Sequence, residues 1–275
     1  MYPHWTEQVE VVEGVSIHYT RTGDGSKPPL VLVHGFSDDG MCWLPVARDL
    51  EAEYDLILPD VRGHGLSQRV KPGEVVDQAG DIAGLIRQLG LGSTLIGGHS
   101  MGANISAVIA ATCPELVSGM ILEDPPWRKP RREVEKRSGP AVADPWIEFL
   151  RVASGMSVEA VVAKCRADSP NWPEVELLPW ALSKQRFDLN VLQSRVSDHD
   201  SYQDTVKAIR CPTLLVTADP ARGAIVTPET AEEVCALNPL MREAHVAGVG
   251  HSIRREDYAA FMGAVGGFLA ELRAR

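Results

Sequence analysis

The 275-residue chain predicts an α/β protein, a doubly wound and mostly parallel sheet carrying a helical insertion. Three observations predict it. Short apolar runs, each closed by glycine, proline or a polar turn, recur along the chain. Stretches with helical spacing lie between them. One long stretch, residues 126–205, has helical pieces and no strand pattern. A short continuous apolar run bounded by turn residues marks a strand buried on both faces, and alternation with helices makes such a sheet parallel.

The elements follow in order. "VEVVEGVSIHYTRTG" reads as two strands joined by a tight turn at Glu13-Gly14. "PPLVLVHG" carries a buried run at Leu30–Val33, and "YDLILPDVRGHG" another at Leu56–Leu58. Residues 77–89 have helical spacing. "TLIGG" supplies a run at Leu95–Ile96, followed by a helix over 104–112, and "GMILEDPP" supplies one at Met120–Leu122. Past the insertion come "PTLLVTAD" at Leu214–Val216, a helix over 229–237, a run ending near His245 and a last helix near 256–272. The domain reading is therefore a sheet domain from residues 1–125 and 206–275, with 126–205 inserted as helices.

Composition narrows the function. Thirty-seven acidic residues against 27 Lys and Arg give a formal net charge of -10, which disfavours nucleic acid, since phosphate binding needs a basic face. The local basic group Arg128, Lys129, Arg131, Arg132, Lys136 and Arg137, offset by Glu133 and Glu135, reads as a solvated face. The five cysteines are scattered, form no CxxC pair and no cluster with histidine, and fit a reducing compartment; no metal and no cofactor is expected. The start, MYPHWTEQVE, lacks a basic stretch followed by an apolar core, and no run is long enough to span a bilayer. The expectation is a soluble cytoplasmic protein with a small-molecule partner, without membrane or nucleic acid, as a monomer or a homodimer.

"TLIGGHSMGANISAVIAA", residues 94–111, places a serine between two glycines where a strand turns into a helix. Glycines at 98 and 102 remove side chains that would collide in so sharp a turn, and Ser100 is pushed above the sheet at a helix N-terminus, where negative charge is favoured. A serine needs a base, and His251 in "VAGVGHSIRRED", just ahead of the last helix, is the best placed histidine. His4, His18, His199 and His245 have local explanations, and His99 supports the serine turn. The imidazole needs an acid. Asp124, after "GMILE", and Asp219, after "TLLVT", both sit at strand C-termini, where open sheets build their sites. Two N–H groups are needed for an oxyanion, and Met101, after the serine, and Phe36, in "VHGFSDDG", are the candidates.

With "HGF" (34–36) and Trp43, "DVRGHGLS" (60–67), "GHSMG" (98–102), "PELVSGMILEDPP" (114–126) and "GVGH" (248–251) in this order, the chain resembles the α/β-hydrolase superfamily. The resemblance implies the α/β-hydrolase fold with 126–205 as a helical cap. It implies Ser100 as nucleophile, His251 as base, Phe36 and Met101 as oxyanion donors, and a structural role for Asp60, Arg62 and the 63–65 turn. The acid is where the chain departs. Relatives place it after the penultimate strand, but "TADPARGAIVTPE" has Ala221 to Ala224 near that slot, and Asp219 comes too early. A minority carry it after the preceding strand, which lands on Asp124. Asp124 is favoured, with Asp219 as the alternative. Glu123 should point to the other face of its strand.

The implied reaction is hydrolysis of a carboxylic ester or lactone through an acyl-enzyme. Serine at position 100 argues against dehalogenase and epoxide hydrolase chemistry. Trp127, Trp146, Trp172 and Trp180, concentrated in the insertion or at its edge, are candidates to line a pocket for a small apolar or aromatic substrate. Two alternatives stay open: the same residues performing C–C bond hydrolysis or cofactor-free perhydrolysis, and a weakly catalytic small-molecule receptor.

Overall fold

The computed structural model describes residues 4–128, 144–197 and 201–274. Its strands are β1 (Thr6–Val12), β2 (Val15–Arg21), β3 (Pro29–Val33), β4 (Asp55–Pro59), β5 (Val75–Val76), β6 (Thr94–His99), β7 (Val117–Glu123), β8 (Arg195–Val196), β9 (Thr213–Thr217) and β10 (Met241–His245). Eight of them form one sheet in the order β1-β2-β4-β3-β6-β7-β9-β10. The β1–β2 hairpin turns at Glu13 and Gly14, both at positive φ, which is the twist a two-residue hairpin loop needs. β2 meets β4 antiparallel, and every later neighbour is parallel.

Helices cover both faces, which is why the central strands read as continuous apolar runs. On β3, Val31 and Val33 join one core with the helices α2 (Gln78–Gln88) and α3 (Met101–Thr112). Leu30 and Leu32 alternate into the other core, against α1 (Leu44–Leu50) and the C-terminal helix. α1 lies in a stretch where the sequence reading placed no helix.

The segment after β7 contains α4 (Pro145–Ala153), α5 (Val158–Asp168) and α6 (Glu174–Arg186). Phe149, Val161, Leu177 and Trp180 give these helices a small core of their own. Two details differ from the sequence reading. Residues 126–205 do contain a strand, β8, which pairs with β5 outside the main sheet; two residues are too few to show alternation. The expected boundary at 205/206 also falls inside α7 (Tyr202–Ala208), whose Val206 belongs to the sheet core. The chain closes with α8 (Pro228–Leu237), α9 (Ile253–Glu256) and α10 (Tyr258–Arg273). No helix among the described residues is long and apolar enough to cross a membrane.

The loop after β4 is pinned by charge. The buried Asp60 carboxylate accepts from the N–H groups of Gly40 (2.7 Å) and Leu66 (2.8 Å) and lies 2.9 Å from His18 Nδ1. Arg62 reaches Asp81 at 2.5 Å and Glu74 at 3.0 Å. These groups are consumed in holding the loop.

Candidate active site

The strand–turn–helix at β6–α3 is tightly packed. Ser100 sits between them at φ 51 and ψ -114, a left-handed conformation that a non-glycine residue adopts only when its surroundings enforce it. The Ser100 N–H donates to the Glu123 carbonyl at 2.8 Å, which ties the turn to the end of β7. A Cβ on Gly98 would strike the backbone of Gly102, and one on Gly102 would strike the carbonyl of Val33. Backbone cannot move aside as a side-chain tip can. Gly102→Ala is therefore expected to cost about 3 kcal/mol, at the upper end of overpacking penalties. Denaturant unfolding of the variant measures it, and an unchanged midpoint would contradict the packing described.

Asp124 follows directly at the end of β7, at φ 41 and fully buried. Its carboxylate accepts from Ile225 N–H (2.8 Å to Oδ2), Val226 N–H (2.9 Å to Oδ1) and His251 Nδ1 (2.6 Å to Oδ2). A carboxylate only accepts, so Nδ1 of His251 carries the proton and Nε2 is left as a lone pair. Asp219 lies elsewhere. It accepts from Gly248 N–H at 2.7 Å and contacts His245 Nε2 at 3.0 Å. The structure thus brings Asp124 to His251 and leaves Asp219 bracing the turn before it.

His99 adds a contact that the sequence did not reveal. Its Nε2 donates to the His251 carbonyl at 3.0 Å, with the two rings 4.6 Å apart. Burial holds its pKa well below the ordinary imidazole value, so the ring stays neutral beside His251.

The loop after β3 is gripped in a similar way. His34 Nε2 accepts from the Val61 N–H at 2.9 Å, so its Nδ1 is protonated and donates to the Gly35 carbonyl at 2.8 Å. The Asp38 N–H donates to the same carbonyl at 3.1 Å. In a trans peptide the Phe36 N–H points opposite to that carbonyl. Neither the Phe36 N–H nor the Met101 N–H meets an acceptor among the described residues. In the sequence His34 appears only within the "HGF" motif, and no short-range signal gives it this task.

Two cavities meet at Ser100 and Phe36. One, of about 360 Å³, is lined mainly by apolar groups, among them Met101, Ile105, Val108 and Val196. The other, of about 470 Å³, contains His251 and His99, the rings of Trp146, Trp172 and Trp180, and the charged groups Lys184, Arg255, Arg128, Asp38 and Asp168. Ser100 and His251 share this second cavity, and the Ser100 hydroxyl makes no hydrogen bond among the described residues. Trp127 is a correction. It lies on neither wall. It is buried, donates from Nε1 to Asn104 Oδ1 at 3.1 Å and stacks on Tyr202 at 6.0 Å, so it packs the sheet core. His199 lies outside the described residues.

Behind the second cavity is a buried charge cluster joining α6 to the sheet domain. Lys184 reaches Asp38 at 2.5 Å and the Ser37 carbonyl at 2.9 Å; Arg255 reaches Asp38 and Glu176, each at 3.1 Å. Burial alone would raise the Asp38 carboxyl, but Arg255, Lys184 and Arg254 outweigh it and hold it well below the carboxylate range. Glu123, on the opposite face of β7 from Asp124, pairs with the buried Arg254 at 2.8 Å. Among the described residues no group of three or more His, Cys, Asp and Glu side chains could hold a metal ion.

Comparison with known proteins agrees with this architecture. The profile of a family described as alpha/beta hydrolase fold matches residues 28–253. N-formylmaleamate deformylase of Pseudomonas putida is 31% identical over 267 residues, covering 93% of this chain and 93% of the relative. A 2-(acetamidomethylene)succinate hydrolase of Mesorhizobium japonicum is 40% identical over 101 residues, 36% of each chain. The crystal structure of the N-formylmaleamic acid deformylase of Pseudomonas putida S16 superposes with a TM-score of 0.74 at 25% identity, covering 95% of this chain and all (100%) of that one.

Proposed function

The chain belongs to the alpha/beta hydrolase fold family, and on that premise we propose that it is a serine hydrolase acting on a small acyl substrate through an acyl-enzyme. Ser100 is the nucleophile. As its oxygen adds to the carbonyl, its proton passes to His251 Nε2, and Asp124 stabilises the imidazolium through Nδ1. The N–H groups of Phe36 and Met101 take the oxyanion. His251 then gives its proton to the leaving group. Water, deprotonated by the same imidazole, releases the acid and restores Ser100. The helices α4 to α6 act as a cap over the site, and Trp146, Trp172 and Trp180 form part of the substrate wall.

One observation carries this reading: the 2.6 Å bond from Asp124 to His251, whose free Nε2 belongs to a ring that shares a cavity with Ser100. The bond type is the finer question. Ester and lactone carbonyls suit the mechanism, and so does an amide, the linkage suggested by a full-length relative that is named a deformylase. The names of both relatives, a maleamate and a succinate, also place a carboxylic acid in their substrates. A panel of p-nitrophenyl acetate and butyrate, a γ-lactone, a thioester and an N-formyl amide, each with Ser100→Ala as background, tests the proposal. Release above that background on at least one substrate is expected. None on any would leave the fold without the chemistry.

A further inference from the structure

The second cavity has one wall whose charged groups the acyl transfer does not use. Arg255 is buried, and two of its donor nitrogens and one face are occupied. Its Nε donates to Glu176, its Nη2 donates to Asp38, and its guanidinium lies over the Trp172 ring at 4.8 Å. Nη1 makes no hydrogen bond among the described residues, and Arg255 lines the cavity. The plane is therefore fixed with one donor edge unspent. Lys184 differs: Asp38, the Ser37 carbonyl and Ser183 Oγ take up its three protons. It serves to balance Asp38.

Two further residues line the same space. Ser37 Oγ is buried without a hydrogen-bond partner, on a residue held at φ 63. Arg128 is exposed and has no carboxylate partner among the described residues. The wall carries three cations, Arg128, Lys184 and Arg255, against two carboxylates. Asp38 is shared between Lys184 and Arg255, and Asp168 is held at 2.7 Å by Lys164 outside the cavity. A group that brings two acceptor oxygens and a negative charge fills what is missing.

We propose that this side of the cavity is a subsite for a carboxylate carried by the substrate, with the Nη1 edge of Arg255 as its fixed donor and Arg128 as a second cation. It rests on the acyl-hydrolase reading and extends it to a substrate class: an acyl compound whose scissile carbonyl reaches Ser100 while its carboxylate lies on the α6 side. Arg255 is four residues beyond His251, so the anchor and the base belong to one short segment. The apolar cavity on the other side of Ser100 takes the remaining arm.

The test does not need turnover. Ser100→Ala protein is titrated with the monomethyl esters of succinate, glutarate and adipate, each against its neutral dimethyl ester, by calorimetry and tryptophan fluorescence. For at least one length the anion is expected to bind about tenfold or more tightly than its neutral partner, the scale of one charge-assisted hydrogen bond. On the same background, Arg128→Gln and the charge-balanced double variant Arg255→Met with Glu176→Gln are each expected to reduce that ratio severalfold. Arg128 is exposed, so its variant remains informative should the double variant fail to fold. A ratio near one at every length, no binding of either ester, or a ratio that survives in both variants overturns the subsite. The hydrolase reading fails separately, on wild-type protein that shows no Ser100-dependent turnover or labelling.

Discussion

Ser100→Ala is expected to lower kcat by about 10^4-fold or more on whichever acyl substrate the wild type turns over fastest, equivalent to about 5 kcal/mol of barrier. It is also expected to abolish covalent labelling by an organophosphonate. The size follows from what the substitution removes. The attacking atom is lost, whereas the two N–H donors and the cavity remain, so only the catalysis due to binding and oxyanion stabilisation survives. The fold should be indifferent. The Ser100 hydroxyl makes no hydrogen bond among the described residues, so its loss strands no buried partner, and alanine inherits the same backbone strain at φ 51. Thermal unfolding should therefore move by no more than a degree or two. Labelling that persists at wild-type rate would place the nucleophile at another residue.

Much of this site was legible because its signals are local. The Ser100 turn is announced by two glycines whose absent side chains are required within five residues of sequence. The central strands are legible because helices on both faces make them continuously apolar. A rule about strand ends narrows the acid to Asp124 and Asp219, and the choice between them rests on the position that the resemblance implies after the earlier strand. The same reasoning fails where partners are distant. Asp38, the α6 pair Glu176 and Lys184, and Arg255 come from three separate places in the chain, and nothing in any one of them announces the other two. Trp127 illustrates a different failure. By composition it was grouped with the tryptophans of the insertion, yet it is only four residues beyond β7, and a chain leaving a strand at that point is still crossing the core. His34 escaped because its role depends on the Val61 N–H fixing its tautomer, which sequence does not encode locally.

Asp124→Asn is expected to lower kcat/KM by about 10^4-fold, while Asp219→Asn lowers it by less than about tenfold. The argument is one of donors and acceptors. Asp124 Oδ1 receives the Val226 N–H at 2.9 Å and the longer branch of the Ile225 N–H at 3.0 Å, and Oδ2 receives His251 Nδ1 and the shorter Ile225 branch at 2.8 Å. Asparagine has one acceptor oxygen, and the two backbone donors hold it at the Oδ1 position. Its NH2 group then faces His251, where it can only donate. The imidazole must present a lone pair at Nδ1, which moves the proton to Nε2, the nitrogen that has to accept from Ser100. The base is lost with hardly an atom displaced. Asp219 makes no contact with His251, and its asparagine keeps an acceptor for the Gly248 N–H. A wild-type organophosphonate labelling rate in Asp124→Asn, together with loss in Asp219→Asn, would transfer the acid's role to the later strand. Comparable melting curves for the two variants keep that comparison free of folding effects, because both substitutions are isosteric and only one reverses a proton.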